Sequence, residues 1–141
     1  MNNHALYAAT VLRLALGTMF LAHGLLKILV FGVPGTVSFF ESVGFPGLLA
    51  YLVTAAEIGG GLLLIAGIAV RGVALTLIPV LMGALYVHFG AGWVFSNENG
   101  GWEYPAFLIA ASIAVALLGP GRFALKLPIS SGLRASDANT A

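Results

Sequence analysis

Cysteine is absent from the 141 residues, and charge is scarce: six Lys/Arg and five Asp/Glu make up 8% of the chain. A soluble domain carries about 25% charged residues. The missing thiols exclude disulfides, thiol redox relays, iron–sulfur clusters and Cys-type zinc sites. A net charge of +1, with its few cations scattered, leaves no basic stripe for nucleic acid. Three widely spaced histidines do not make a zinc site on their own. Alternation with period two is also missing, which argues against a β-barrel.

Apolar residues fill the space, at 60% of the chain, and the mean hydropathy is +1.02. So little polar surface cannot cover a small soluble fold, and the chain reads as an all-α integral membrane protein. Four apolar stretches stand out: about Leu6 to Phe31, Leu48 to Ile68, Val73 to Phe89 and Tyr104 to Leu118. A span needs about 20 residues, with a range of about 17–25. The first two meet this, whereas the third and fourth reach it only with their flanking Gly and Trp residues. The expectation is a four-helix transmembrane bundle over residues 1–122, followed by a short polar, mobile cytoplasmic tail over 123–141. Met1-Asn2-Asn3-His4 lacks the basic start of a secretory signal, so the first stretch is expected to be a retained helix.

The breaks carry turn residues. Gly32-Val33-Pro34-Gly35 is expected to end the first helix, and Gly44-Phe45-Pro46-Gly47 to introduce the second. Between them Ser38-Phe39-Phe40-Glu41 reads as a capping box opening a short interfacial turn. Arg71-Gly72 is the expected link between the second and third helices. Trp93 and Trp102 flank a polar loop from Gly90 to Gly101, as in an interfacial aromatic belt. Four helices place both termini on one side with Arg71, Arg122, Lys126 and Arg134, opposite Glu41, Glu98 and Glu103. The positive-inside rule then makes both termini cytoplasmic in a bacterial-type inner membrane.

The informative residues are ionisable groups inside these stretches: Arg13, His23 and Lys27 in the first, Glu57 in the second and His88 in the third. A charge at the bilayer centre costs at least ~2.5 kcal/mol, so such groups face the bundle interior and pair. At about 100° per residue, Arg13, Gly17, Phe20, Gly24 and Lys27 share one face, with His23 at its edge. Arg13 is expected roughly 9 Å below the helix centre and Lys27 roughly 12 Å above it. Glu57 is then within reach of either cation; paired it stays ionised, and unpaired its carboxyl is neutral.

Each group also has an architectural reading. A buried Glu57 pair with Arg13 or Lys27 would fix helix register, Lys27 would snorkel to an interface, and the histidines would be satisfied core residues. Glu103 reads as a helix-start residue facing the N-terminal dipole, and Ser112 as a back-bonded hydroxyl. Gly59-Gly60-Gly61 lies mid-span, where it serves close packing rather than phosphate binding.

In order and spacing the chain resembles the DoxX family. Leu12-Arg13-Leu14, Leu16-Gly17, Phe20-Leu21-Ala22-His23-Gly24 and Lys27 resemble its first helix. Phe45-Pro46, Glu57-Ile58-Gly59-Gly60 and Gly67 resemble its second, with His88, Glu103-Tyr104-Pro105 and Gly119-Pro120-Gly121-Arg122 completing the pattern. The resemblance covers about Leu12 to Arg122. It implies a four-helix inner-membrane protein of a kind labelled oxidoreductase subunit, by association with a DoxD subunit of thiosulfate:quinone oxidoreduction. Arg13, Lys27, Glu57 and His88 match its polar positions, but the family supplies no agreed catalytic residues.

The leading expectation is therefore a small subunit of a quinone-linked oxidoreductase system, incomplete as an enzyme alone. His23, Lys27 and His88 would supply hydrogen-bond donors to a quinone headgroup, Phe20 and Tyr86 would pack on its ring, and Glu57 would relay protons. No metal or covalent cofactor is expected, and a bis-His haem on His23 and His88 is disfavoured. The expected partners are lipid, a protein subunit or further copies of the chain. The alternative is a non-enzymatic anchor or assembly partner, docking through Ser96-Asn97-Glu98-Asn99 and the tail. A small-solute pathway ranks last, because four short helices leave little lumen.

Overall fold

A computed structural model describes residues 2–125. The expected mobile tail lies mostly outside these residues, from 126 onward. Five helices follow one another: α1 (Asn3–Leu29), α2 (Gly32–Ser42), α3 (Leu48–Ala66), α4 (Val70–Phe89) and α5 (Glu103–Leu118). No strand occurs among the described residues. Helices α1, α3 and α4 are long and apolar enough to cross a membrane, whereas α5 is apolar but has 16 residues. Outward-facing side chains such as Val11, Leu52, Leu62, Leu75 and Leu117 are exposed, an apolar surface that suits lipid contact.

Three boundaries differ from the sequence expectation. The first helix stops at Leu29, and Gly32-Val33-Pro34-Gly35 begins a helix instead of ending one. Proline is tolerated in a first helical turn, where its missing N–H would have no intrahelical partner. Ser38 consequently lies inside α2 and caps nothing. The link after α3 is Gly67-Ile68-Ala69, which places Arg71-Gly72 in the first turn of α4. Gly67 adopts φ 79°, and its N–H reaches Leu64 O at 3.1 Å while that of Ile68 reaches Leu63 O at 3.0 Å. This paired closure needs a left-handed residue, which glycine adopts without strain.

The α1–α3 pair is the most extensive contact in the fold, and small residues make it close. A Cβ on Gly61 would lie 2.7 Å from Leu21 N and 2.8 Å from Gly17 O, backbone that cannot move aside. Gly60 instead admits Leu77 of α4, and Gly59 faces open space. The glycine run is thus a packing surface at two of its three positions. Gly61→Ala is expected to destabilise the fold by about 1–3 kcal/mol through overpacking. Gly59→Ala should be neutral or better, and thermal unfolding of the two variants in one detergent separates them.

The apolar core gathers Leu16, Phe20, Leu64, Ala74, Leu77, Leu108 and Val115 from α1, α3, α4 and α5. Ser112 Oγ donates to Leu108 O at 2.8 Å, the back-bond expected for a hydroxyl inside an apolar helix. Beyond α5 the chain returns to the start of α1. Arg122 N donates to Thr10 Oγ1 at 2.7 Å, and Leu125 N to Ala66 O at 3.0 Å. The beginning of the tail is therefore held against α1 and α3.

Candidate functional site: a polar cluster in an apolar cavity

The face of α1 carrying Arg13 and Lys27 meets α3 in antiparallel register, and that register separates the two cations. Gly24 lies against Glu57 and Ile58, and Gly17 against Gly61 and Ile65. Glu57 therefore stands about one turn from Lys27 and far from Arg13. Lys27 Nζ donates to Glu57 Oε2 at 2.6 Å, with side chains 18% and 8% exposed. Arg13, 1% exposed, makes no carboxylate contact. Its Nη1 donates to Leu64 O at 2.5 Å and Ile65 O at 2.7 Å. These are final-turn carbonyls of α3 at the negative end of the helix dipole, and Leu64 O also accepts from Gly67 N at 3.1 Å. Of the candidate ion-pair residues, Arg13 is thus a helix-end clamp.

The Lys27–Glu57 pair lines a partly open cavity of about 420 Å³ to which all five helices contribute. Phe20, Phe40, Phe45, Leu49, Val53 and Leu108 form much of its apolar wall. His23, His88 and Tyr104 add polar groups from α1, α4 and α5. His23 Nδ1 lies 2.8 Å from Met19 O, and His88 Nδ1 lies 2.9 Å from Asn99 O. A carbonyl only accepts, so each neutral ring carries its proton on Nδ1 and keeps a lone pair on Nε2. Tyr104 stacks on His23 with centroids 6.0 Å apart, and its hydroxyl donates to Met19 Sδ at 3.5 Å. A thioether is a weak acceptor, which leaves this hydroxyl ready for a better one.

Of the residues singled out in the sequence, Phe20, His23, Lys27, Glu57 and His88 line the one cavity. Tyr86 does not. It is 69% exposed and makes an edge contact with Phe45 at 5.9 Å. Two residues on a helix are about 200° apart, so Tyr86 and His88 cannot face the same way. Phe45 and Phe40 occupy the wall where Tyr86 was expected. Tyr104 was overlooked because its neighbours come from α1, although a tyrosine one position before Pro105 at a helix start was legible. Glu103 is the first residue of α5, as expected, and its Oε1 also accepts from Phe95 N at 2.8 Å. The loop packs Trp93 edge-on to Trp102, with centroids 4.4 Å apart. Among the described residues no group of three or more His, Asp or Glu side chains is placed to hold a metal ion.

A helical, lipid-suited exterior around an ion pair in a mostly apolar cavity defines an integral membrane protein with an internal polar site. The DoxX family model matches residues 8–90, and the chain belongs to that family. It is 35% identical over 126 residues to a Bacillus subtilis (strain 168) protein named "Putative oxidoreductase CatD", covering 89% of each chain. No solved structure matches the chain.

Proposed function

We propose that the protein is a membrane oxidoreductase subunit whose cavity receives a quinone headgroup. The observation that carries this reading is the convergence of Lys27, Glu57, His23, His88 and Tyr104 inside one aromatic-walled cavity. Its volume falls in the range of small-molecule sites, about 300–1,000 Å³, and a few placed polar groups in an apolar wall fit such a ring. A quinone bound there would become a hydroquinone by taking two electrons from a partner redox protein and two protons. Lys27 and Tyr104 present donors to ring oxygens, Phe40 and Phe45 supply faces for the ring, and Glu57 holds and returns a proton beside them. The relative's name supports the oxidoreductase part of the reading.

Gentle purification followed by mass spectrometry of bound small molecules tests it. About one quinone per chain is expected, falling at least tenfold in a Tyr104→Phe protein that remains folded. Lipid alone in the wild-type protein, with a protein partner retained, would overturn the proposal in favour of an anchor.

The same reading takes α5 as a fourth span and places both termini in the cytoplasm of an inner membrane. Helix α5 runs back along α4, bringing Gly119 beside the Arg71 guanidinium at one end and Glu103 to the loop at the other. Arg71 and Arg122 thus mark one end, and Glu98 and Glu103 the other, the asymmetry that orients membrane proteins. Because the chain has no cysteine, single substitutions report orientation cleanly. Asn97→Cys is expected to react with an impermeant maleimide from outside intact cells, and Asn3→Cys only after lysis; the reverse would invert the topology.

A further inference from the structure

Accepting the quinone reading above, we infer that the cavity is built for the reduced, hydroxyl-bearing ring and binds a hydroquinone in preference to the corresponding quinone. The argument is an inventory of what the polar groups have left after their internal contacts. Both imidazoles commit Nδ1–H to backbone carbonyls, Met19 O and Asn99 O. What each neutral ring keeps for a ligand is therefore the acceptor Nε2, which has no protein partner among the described residues. Glu57 engages Lys27 through Oε2, and Oε1 has no hydrogen bond among the described residues. Three acceptors thus stand free around the cavity.

The available donors are fewer. Lys27 keeps N–H groups beyond its bond to Glu57, and the Tyr104 hydroxyl rests on a thioether at 3.5 Å. A quinone carries two carbonyl oxygens and no donor, so it satisfies Lys27 and Tyr104 and leaves all three acceptors unmatched. A hydroquinone offers the same two oxygens as acceptors and adds two O–H donors. Those donors find His23 Nε2, His88 Nε2 or Glu57 Oε1 along the mostly apolar wall of the cavity. A ligand that brings donors to acceptors along a mostly apolar wall gains hydrogen bonds that a donor-free ligand of the same shape cannot make. The mismatch therefore discriminates between two ligands of nearly equal shape.

The experiment uses the full-length protein in lipid nanodiscs under anaerobic conditions. A short-chain benzoquinone and its two-electron-reduced hydroquinone are titrated separately by equilibrium dialysis. The hydroquinone is expected to bind about tenfold or more tightly than the quinone, the gain from one or two well-placed hydrogen bonds. His23→Phe and His88→Phe should each narrow that ratio toward one. Equal affinities, or tighter binding of the quinone, by the wild-type protein would overturn this inference and leave the quinone site standing. Binding of neither form would overturn both. The decisive comparison is between two ligands on one wild-type protein, so it does not depend on any variant folding.

Discussion

Lys27→Met is expected to destabilise the protein by about 3–5 kcal/mol, and Glu57→Leu by a similar amount, while the double substitution costs much less than either. The asymmetry follows from where the pair sits. Nζ and Oε2 are 2.6 Å apart, and the carboxylate side chain is only 8% exposed. Removing one partner strands the other charge in apolar surroundings, whereas removing both strands none. Reversible unfolding in mixed micelles measures all three proteins. Additive losses, with the double variant near the sum of the singles, would show that each side chain acts through separate contacts. The test also separates stability from function, because a stable double variant should still bind no quinone.

Arg13→Met is expected to cost a comparable amount for a different reason. Two charge-assisted hydrogen bonds, at 2.5 and 2.7 Å, hold the last carbonyls of α3. Such bonds contribute roughly 1.5–3 kcal/mol each, so their joint loss is on the order of 3–6 kcal/mol. Arg13→Lys keeps the charge but not the fork that spans two carbonyls, and should recover only part of it. Arg13 is not among the residues lining the cavity. Quinone bound per folded chain should therefore be unchanged in Arg13→Lys; its loss would mean that the guanidinium serves the site directly.

The contrast between these cations shows where sequence reasoning stops. Helical periodicity alone places Arg13, Gly17, Phe20, Gly24 and Lys27 on one face, and Arg13, Gly17, Phe20 and Gly24 are indeed buried in α1. Depth arithmetic along one helix leaves Glu57 within reach of both cations. Only the register against α3, set by the fit of Gly61 onto the α1 backbone, puts Lys27 beside Glu57 and Arg13 beside the α3 terminus. Periodicity alone sets Tyr86 about 200° from His88 on α4, so the two cannot share a cavity; only the rotation of α4 decides that His88 is the one that lines it.

Helix α2 is similar. Its Gly and Pro residues read as punctuation, because local signals do not distinguish a proline that stops a helix from one in a first turn. The tertiary contact distinguishes them: Thr36 Oγ1 donates to Lys27 O at 2.9 Å, tying α2 across the end of α1 so that Phe39 and Phe40 reach the cavity.

Composition and periodicity by themselves determined the helical membrane class, the polar face of α1 and most of the ionisable residues that matter. Those properties depend on residue type and on the fixed geometry of one helix. Pairing, cavity and hydrogen-bond inventory were decided by the tertiary structure, because each depends on the rotation and register of helices distant in sequence. Those parameters emerge only from packing, where a single glycine facing a neighbour's backbone carries more weight than the hydropathy of a whole segment.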